Sequence, residues 1–218
     1  MVKQKSISKK ITNHKTKEDK KNSSDTEEDY WESVTYDDNH IYFYGDVNTK
    51  NILNLIRYIR FINNKLSLLE NELSKYSTNY DTDCDMNIYL HINSCGGYIC
   101  DAFAALSHII DSKHPIISIV EGYAASAATF LSIVCHKRQI TSFSSMLIHQ
   151  LSSGCYGTYE QLEDDHENNR YLENNIKNLY IKYSDGKLNE RVLEKVLKRD
   201  LMWDPQKCLK YGLVDEII

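Results

Sequence analysis

The stretch GYAASAATFL, residues 122–131, sets one hydroxyl, Ser126, among glycine and alanines. Small side chains pack tightly, or they let another group come close to the backbone. A serine hydroxyl attacks a carbonyl only when a base takes its proton. His149 follows the apolar run MLI, residues 146–148, so it emerges at the end of a buried strand. Asp200, in KRDLMW, closes a helical stretch, where the helix dipole disfavours an anion. An acid kept there has a use if it orients the imidazole. Gly96 and Gly97 form a second turn with no Cβ to obstruct a ligand. If the two turns face each other, Gly97 N–H and Ala127 N–H converge on one oxygen, as in the oxyanion hole of acyl transfer. Each residue also has a plainer role: Ser126 in packing, His149 as a satisfied core histidine, Asp200 as a cap, the glycines as a turn. His91, His108, His136, Asp204 and Asp215 stand as competing bases or acids.

The elements that must position these residues follow from periodicity. Residues 40–47 read as a strand of β-branched and aromatic residues. Ile52, Leu55, Ile56, Ile59 and Ile62 then recur at helical spacing, before a polar loop STNYDTDCD. MNIYLHINS is the next strand, and 98–113 the next helix, broken by Pro115. IISIVEG is a strand, a helix starts at about Ala125, and QITSFSSMLIHQ is a strand. A long helix covers 158–183, with Leu172, Ile176, Leu179, Tyr180 and Tyr183 as its stripe. LNERVLEKVLKRD is a shorter helix, and the chain closes with a helix, a stop at Gly212 and a strand. Strands that alternate with helices predict an α/β fold with a largely parallel sheet. In such folds chemistry gathers where strands end and helices begin.

Composition bounds the rest. The chain has 218 residues, enough for one sizeable core. Residues 1–22 hold eight lysines against two acids, a net +6, which leaves −11 for the remainder of a chain whose total is −5. A basic tail ahead of an acidic body is not the footprint of a folded nucleic-acid-binding face. Residues 1–37 are therefore read as a disordered tail, basic and then acidic, and 38–218 as the folded domain. The six cysteines show no CxxC and no zinc spacing, so reduced thiols inside a cell are expected. The tail has no apolar stretch for a secretory signal, which points to the cytoplasm. A mitochondrial or plastid address is the alternative. Residues 115–135 are long and apolar enough to pass for a membrane span, but Glu121 and Gly122 interrupt them. A strand followed by a helix is the better reading.

The blocks INSCGG, EGYAASAATFL, MLIHQ and KYGLVDEI, in this order, resemble the proteolytic subunit of the Clp protease, the ClpP family. The resemblance runs from about Ile41 to the C-terminus. It implies Ser126 as nucleophile, His149 as general base, Asp200 as the third triad member, and Gly97 and Ala127 as the oxyanion hole. It implies a crotonase-like ββα-superhelix with a protruding long handle helix, assembled as two stacked heptameric rings. The activity implied is hydrolysis of unfolded polypeptides or peptides, fed by a separate AAA+ Clp ATPase that uses the ATP. No cofactor or metal in this chain, no specific nucleic acid and no membrane are expected. Cys95 stands where the family has proline, and His91 where an aromatic is usual in the ATPase-docking pocket. The family's axial-pore segment has no counterpart upstream of Ile41. A catalytically silent ring subunit and a crotonase-fold acyl-CoA enzyme are the alternatives.

Overall fold

Alternating apolar strands and amphipathic helices build a seven-stranded sheet in the residues described by this computed structural model, 33–76 and 85–218. All lie in the unit Glu32–Ile218. In chain order the elements are β1 (Val34–Asp37), β2 (His40–Phe43), α1 (Thr49–Tyr76), β3 (Ile88–Ser94), α2 (Ile99–Ile110), β4 (Ile116–Ala125) and α3 (Ala128–Ile133). They continue with β5 (Lys137–Ile140), β6 (Ser145–Leu147), α4 (Tyr159–Tyr183), α5 (Glu190–Leu197), α6 (Pro205–Lys210) and β7 (Glu216–Ile217). The sheet order is β1-β2-β3-β4-β5-β7, with β6 also paired to β4. Every pairing is parallel except β1 with β2. The mixed α/β class read from the sequence is therefore the one observed.

β3 and β4 lie at the centre, and their apolar runs are what strands covered on both faces require. Ile88, Leu90, Ile92, Ile116 and Val120 are fully buried, packed with Leu55 and Ile59 of α1 and Ile109 of α2. Gly122, at φ 83°, kinks β4 between two partners. Its first half pairs with β5 (Val120 opposite Ile140) and its second half with β6 (Ala125 opposite Leu147). Ser144 Oγ accepts the Gly122 N–H at 2.6 Å and fixes the crossing.

Three expectations shift. The stretch 139–150, read as one strand, is two, because Thr141–Ser144 turns the chain from one half of β4 to the other. The helix expected from Ala125 starts at Ala128, since β4 continues to Ala125. The folded unit starts before residue 38: Val34 is buried, and β1 adds an antiparallel strand with Val34 opposite Phe43. The rest of the tail, residues 1–32, and most of the polar loop, 77–84, lie outside the described residues. No helix of the described residues is long and apolar enough to cross a membrane, and 115–135 resolves into β4 and α3.

The C-terminal end is tied down by Arg138 on β5. Its side chain is 7% exposed. Nε donates to Asp215 Oδ2 at 2.9 Å, Nη2 pairs with Asp215 Oδ1, and Nη1 donates to Gly212 O at 3.0 Å and to Tyr183 O. Burial works against the Asp215 carboxylate, but the Arg138 hydrogen bonds and charge outweigh it and hold the carboxyl below its usual range. A lowered folded pKa gives stability that is present above the unfolded value of about 4 and is lost as the pH falls through the folded value. Asp215→Asn should cost about 2 kcal/mol in thermal or urea unfolding at neutral pH. That is less than the roughly 3–5 kcal/mol of a fully buried broken pair, because solvent screens the half-exposed carboxylate. The variant should also lose part of the wild-type fall in stability below about pH 4.

Candidate active site

Parallel strands β4 and β6 end at the same edge of the sheet, with Ala125 opposite Leu147. Ser126 follows the first, and His149 lies two residues beyond the second. Ser126 N–H donates to Leu147 O at 2.8 Å, which ties the serine turn to the end of β6.

Ser126 has a φ of 52°, a left-handed conformation that costs an L-residue on the order of 1 kcal/mol or more. Its surroundings over-determine it. Its carbonyl oxygen accepts the Thr129 N–H at 3.0 Å and the Thr129 hydroxyl at 2.6 Å. Gly96, at φ 93°, presses against the same turn: a Cβ there would lie 2.6 Å from Ala125 O, 2.8 Å from Ser126 Cβ and 3.1 Å from Ala127 N. The small residues around Ser126 therefore serve a close approach of two backbones. Val47 holds the glycine turn from the other side, donating its N–H to Gly96 O at 2.8 Å and accepting the Tyr98 N–H at 2.8 Å. A Cβ on Gly97 would fall 2.2 Å from Val47 O. This bridge does not use the N–H of Gly97. Among the described residues, neither Gly97 N–H nor Ala127 N–H has a hydrogen-bond acceptor.

Gly97, Ser126 and His149 line one cleft of about 270 Å³, walled by Phe130, Leu151, Leu172 and Ile176, with Asn169 as a polar group on α4. Ala127 is buried directly behind Ser126. Asp200 reaches the site by register. Met146 and Trp203 exchange backbone hydrogen bonds of 3.0 and 2.7 Å in an antiparallel bridge. Three residues on from Met146 is His149, and three residues back from Trp203 is Asp200. His149 Nδ1 and Asp200 Oδ1 are 3.8 Å apart, an ion-pair distance longer than a hydrogen bond. The Asp200 side chain is 79% exposed and stands outside the cleft.

The competing residues have other partners. His91 bonds His40 at 2.9 Å and Glu121 at 2.8 Å on β3. His136 Nδ1 accepts the Ile116 N–H at 3.1 Å. Asp204 caps α6 through the Lys207 N–H at 2.8 Å, and Asp215 pairs with Arg138. His108 lines a separate cleft with Arg60 and Lys113. Thr129, Tyr180 and Asn169 had no signal in the sequence as site residues. Tyr180 was visible only as one member of an apolar stripe.

The family model described as Clp protease matches residues 71–218. The ATP-dependent Clp protease proteolytic subunit of Deinococcus radiodurans is 29% identical over 136 residues, covering 62% of this chain and 66% of that protein. Proteolytic subunit 1 of Protochlamydia amoebophila is 32% identical over 141 residues, covering 63% of this chain and 68% of the relative. Proteolytic subunit 3 of Streptomyces avermitilis is 31% identical over 139 residues, covering 63% of each. The chain thus spans about two thirds of the length of the curated relatives it matches. The family match begins within α1, downstream of Ile41.

The contact between the two turns can be tested by adding one methyl group. Gly96→Ala should destabilise the fold by about 1–3 kcal/mol in thermal unfolding, through its left-handed φ and the collision with Ala125 O and Ser126 Cβ. Gly154→Ala, where a Cβ meets nothing within 4 Å, should stay within about 0.5 kcal/mol of wild type.

Proposed function

This chain belongs to the Clp protease family, and on that premise we propose that it is a serine endopeptidase acting on unfolded polypeptides or peptides. The observation that carries the reading is the convergence of Ser126, His149 and Gly97 on one cleft at the ends of adjacent parallel strands. In the proposed reaction, His149 takes the Ser126 hydroxyl proton as the oxygen attacks the peptide carbonyl carbon. The oxyanion is met by the N–H groups of Gly97 and Ala127. The intermediate collapses, the amine leaves with the proton from His149, and an acyl-serine forms. Water, deprotonated by His149, then releases the acid and returns the proton to Ser126. Asp200 holds the ring in the useful tautomer, for which its carboxylate closes from 3.8 Å to hydrogen-bond distance. The reaction uses side chains and backbone N–H groups, with no metal or organic cofactor in this chain.

The assembly we propose is the family's two stacked heptameric rings of crotonase-like superhelical subunits, with α4 as the handle between rings. Tyr159, Leu162 and Tyr171 are exposed on the first half of that helix and supply apolar surface for such a contact. A separate AAA+ ATPase would unfold and feed substrates, and the cytoplasm is the proposed compartment. One observation favours a second reading, a silent ring subunit: the exposed Asp200 at more than hydrogen-bond distance from His149.

A fluorophosphonate probe decides between them. The full chain should be labelled at Ser126 and should cleave a fluorogenic peptide. Ser126→Ala and His149→Ala should each lower turnover by at least about 10⁴-fold, and Asp200→Asn by about 10²–10⁴-fold. A ring-sized particle that is never labelled at Ser126 would establish the silent subunit instead.

A further inference from the structure

A buried hydrogen bond behind the site joins α4 to the nucleophile turn. The Thr129 hydroxyl lies 2.6 Å from Ser126 O and 2.6 Å from the Tyr180 hydroxyl. A carbonyl oxygen can only accept, and a hydroxyl has one proton to give. The Thr129 proton therefore goes to Ser126 O, and Tyr180 is the donor to Thr129 Oγ1. Thr129 is 0% and Tyr180 1% exposed, so no water competes for these bonds. Burial raises the Tyr180 phenol above its ordinary pKa, although the bond to Thr129 works the other way, so it keeps the proton it donates. Phe130 packs edge-on against the Tyr180 ring, 5.6 Å between centroids.

The carbonyl so anchored belongs to a particular peptide unit. Ser126 C=O and Ala127 N–H share one plane and point in opposite directions. Fixing the oxygen fixes the direction of the N–H. We propose that Tyr180, acting through Thr129, is a positioning residue that orients the Ala127 N–H toward the oxyanion. This role rests on the peptidase reading given above. The same face of α4 that carries Tyr180 also brings Asn169, Leu172 and Ile176 to the cleft. The placement of one helix thereby sets both the cleft wall and the direction of an oxyanion donor. The energetic logic is that of a group felt only when charge develops on the substrate oxygen: its loss slows acylation and leaves ground-state binding unchanged.

The test uses the full chain, a fluorophosphonate probe, a fluorogenic peptide and a melting curve on each sample. Removing one oxyanion donor outright costs on the order of 10²–10³ in rate. Tyr180→Phe keeps the ring and leaves Thr129 bonded to Ser126 O, so it should lower kcat and the Ser126 labelling rate about five- to tenfold, with KM within about twofold. Thr129→Val, which removes the hydroxyl at constant shape, should cost about 10²-fold, and Thr129→Ser should recover most of the loss. The double variant should be no slower than Thr129→Val alone, because the two act in series. If Thr129→Val fails to fold, Tyr180→Phe decides alone. Tyr180→Phe labelled as fast as wild type, whatever its melting temperature, overturns the positioning role while leaving the peptidase reading intact. A loss confined to KM overturns it as well. Wild-type protein unlabelled at Ser126 overturns the peptidase reading, and the positioning role with it.

Discussion

The contact on which the site depends is the near collision of two strand-end turns, Gly96–Gly97 and Ala125–Ala127. A serine in the left-handed region does not stay there on its own account. It stays because every alternative breaks something nearby: the Ser126 N–H bond to Leu147 O, the two Thr129 bonds to its carbonyl, or the contact with Gly96. Strain of this kind persists only where the surroundings over-determine it. The glycine, the alanines and the buried threonine belong to one requirement, that two backbones pass within van der Waals contact. Widening the gap by one methyl group at Gly96 would move the serine and the N–H groups behind it together.

That contact is placed by register. β4 is the hub: it pairs with β3 along one side, and on the other with β5 and then β6. A one-residue slip in a strand turns every side chain to the opposite face. Ala125 opposite Leu147 brings Ser126 and His149 to one edge, and Met146 opposite Trp203 brings Asp200 to face His149. Arg138 closes the far end, where its guanidinium satisfies the carbonyls of Tyr183 and Gly212 and pairs with Asp215. A fixed α4 end in turn fixes the height at which Tyr180 meets Thr129.

What could be read in the sequence divides along chain distance. Ser126, Gly97 and His149 were legible because each stands at the end of its own apolar run, and a run plus a breaker is a local signal. The α/β alternation was legible for the same reason. Asp200 was legible only as an acid oddly placed at a helix end, and what brings it to face His149, a bridge between Met146 and Trp203 far apart in the chain, leaves no periodic trace. The break at 141–144 was hidden because the strands on both sides of it pair with β4, and only the half of β4 that they meet changes. Tyr180 was hidden by its own stripe: an aromatic at helical spacing reads as packing, and its hydroxyl finds a partner 51 residues away. β1 was lost to composition, as Val34 is one buried residue in an otherwise polar stretch.

The sheet shows the same economy of proton donors on the surface of β2–β4. The ionised Glu121 can only accept, so His91 Nδ1 donates to it, and a single proton lies between His91 Nε2 and His40 Nδ1. Tyr44 donates to the other Glu121 oxygen. Burial opposes the carboxylate, yet these donors hold its pKa below the usual range. Tyr42 stacks on His91 with 4.6 Å between centroids. At the candidate site the contrast is between members of one arrangement. The bonds that hold the Ser126 carbonyl run to buried Thr129 and are shielded from water. The His149–Asp200 pair is exposed, and such pairs contribute only about 0–1 kcal/mol of their own. Asp200 is therefore the least constrained residue of the candidate site.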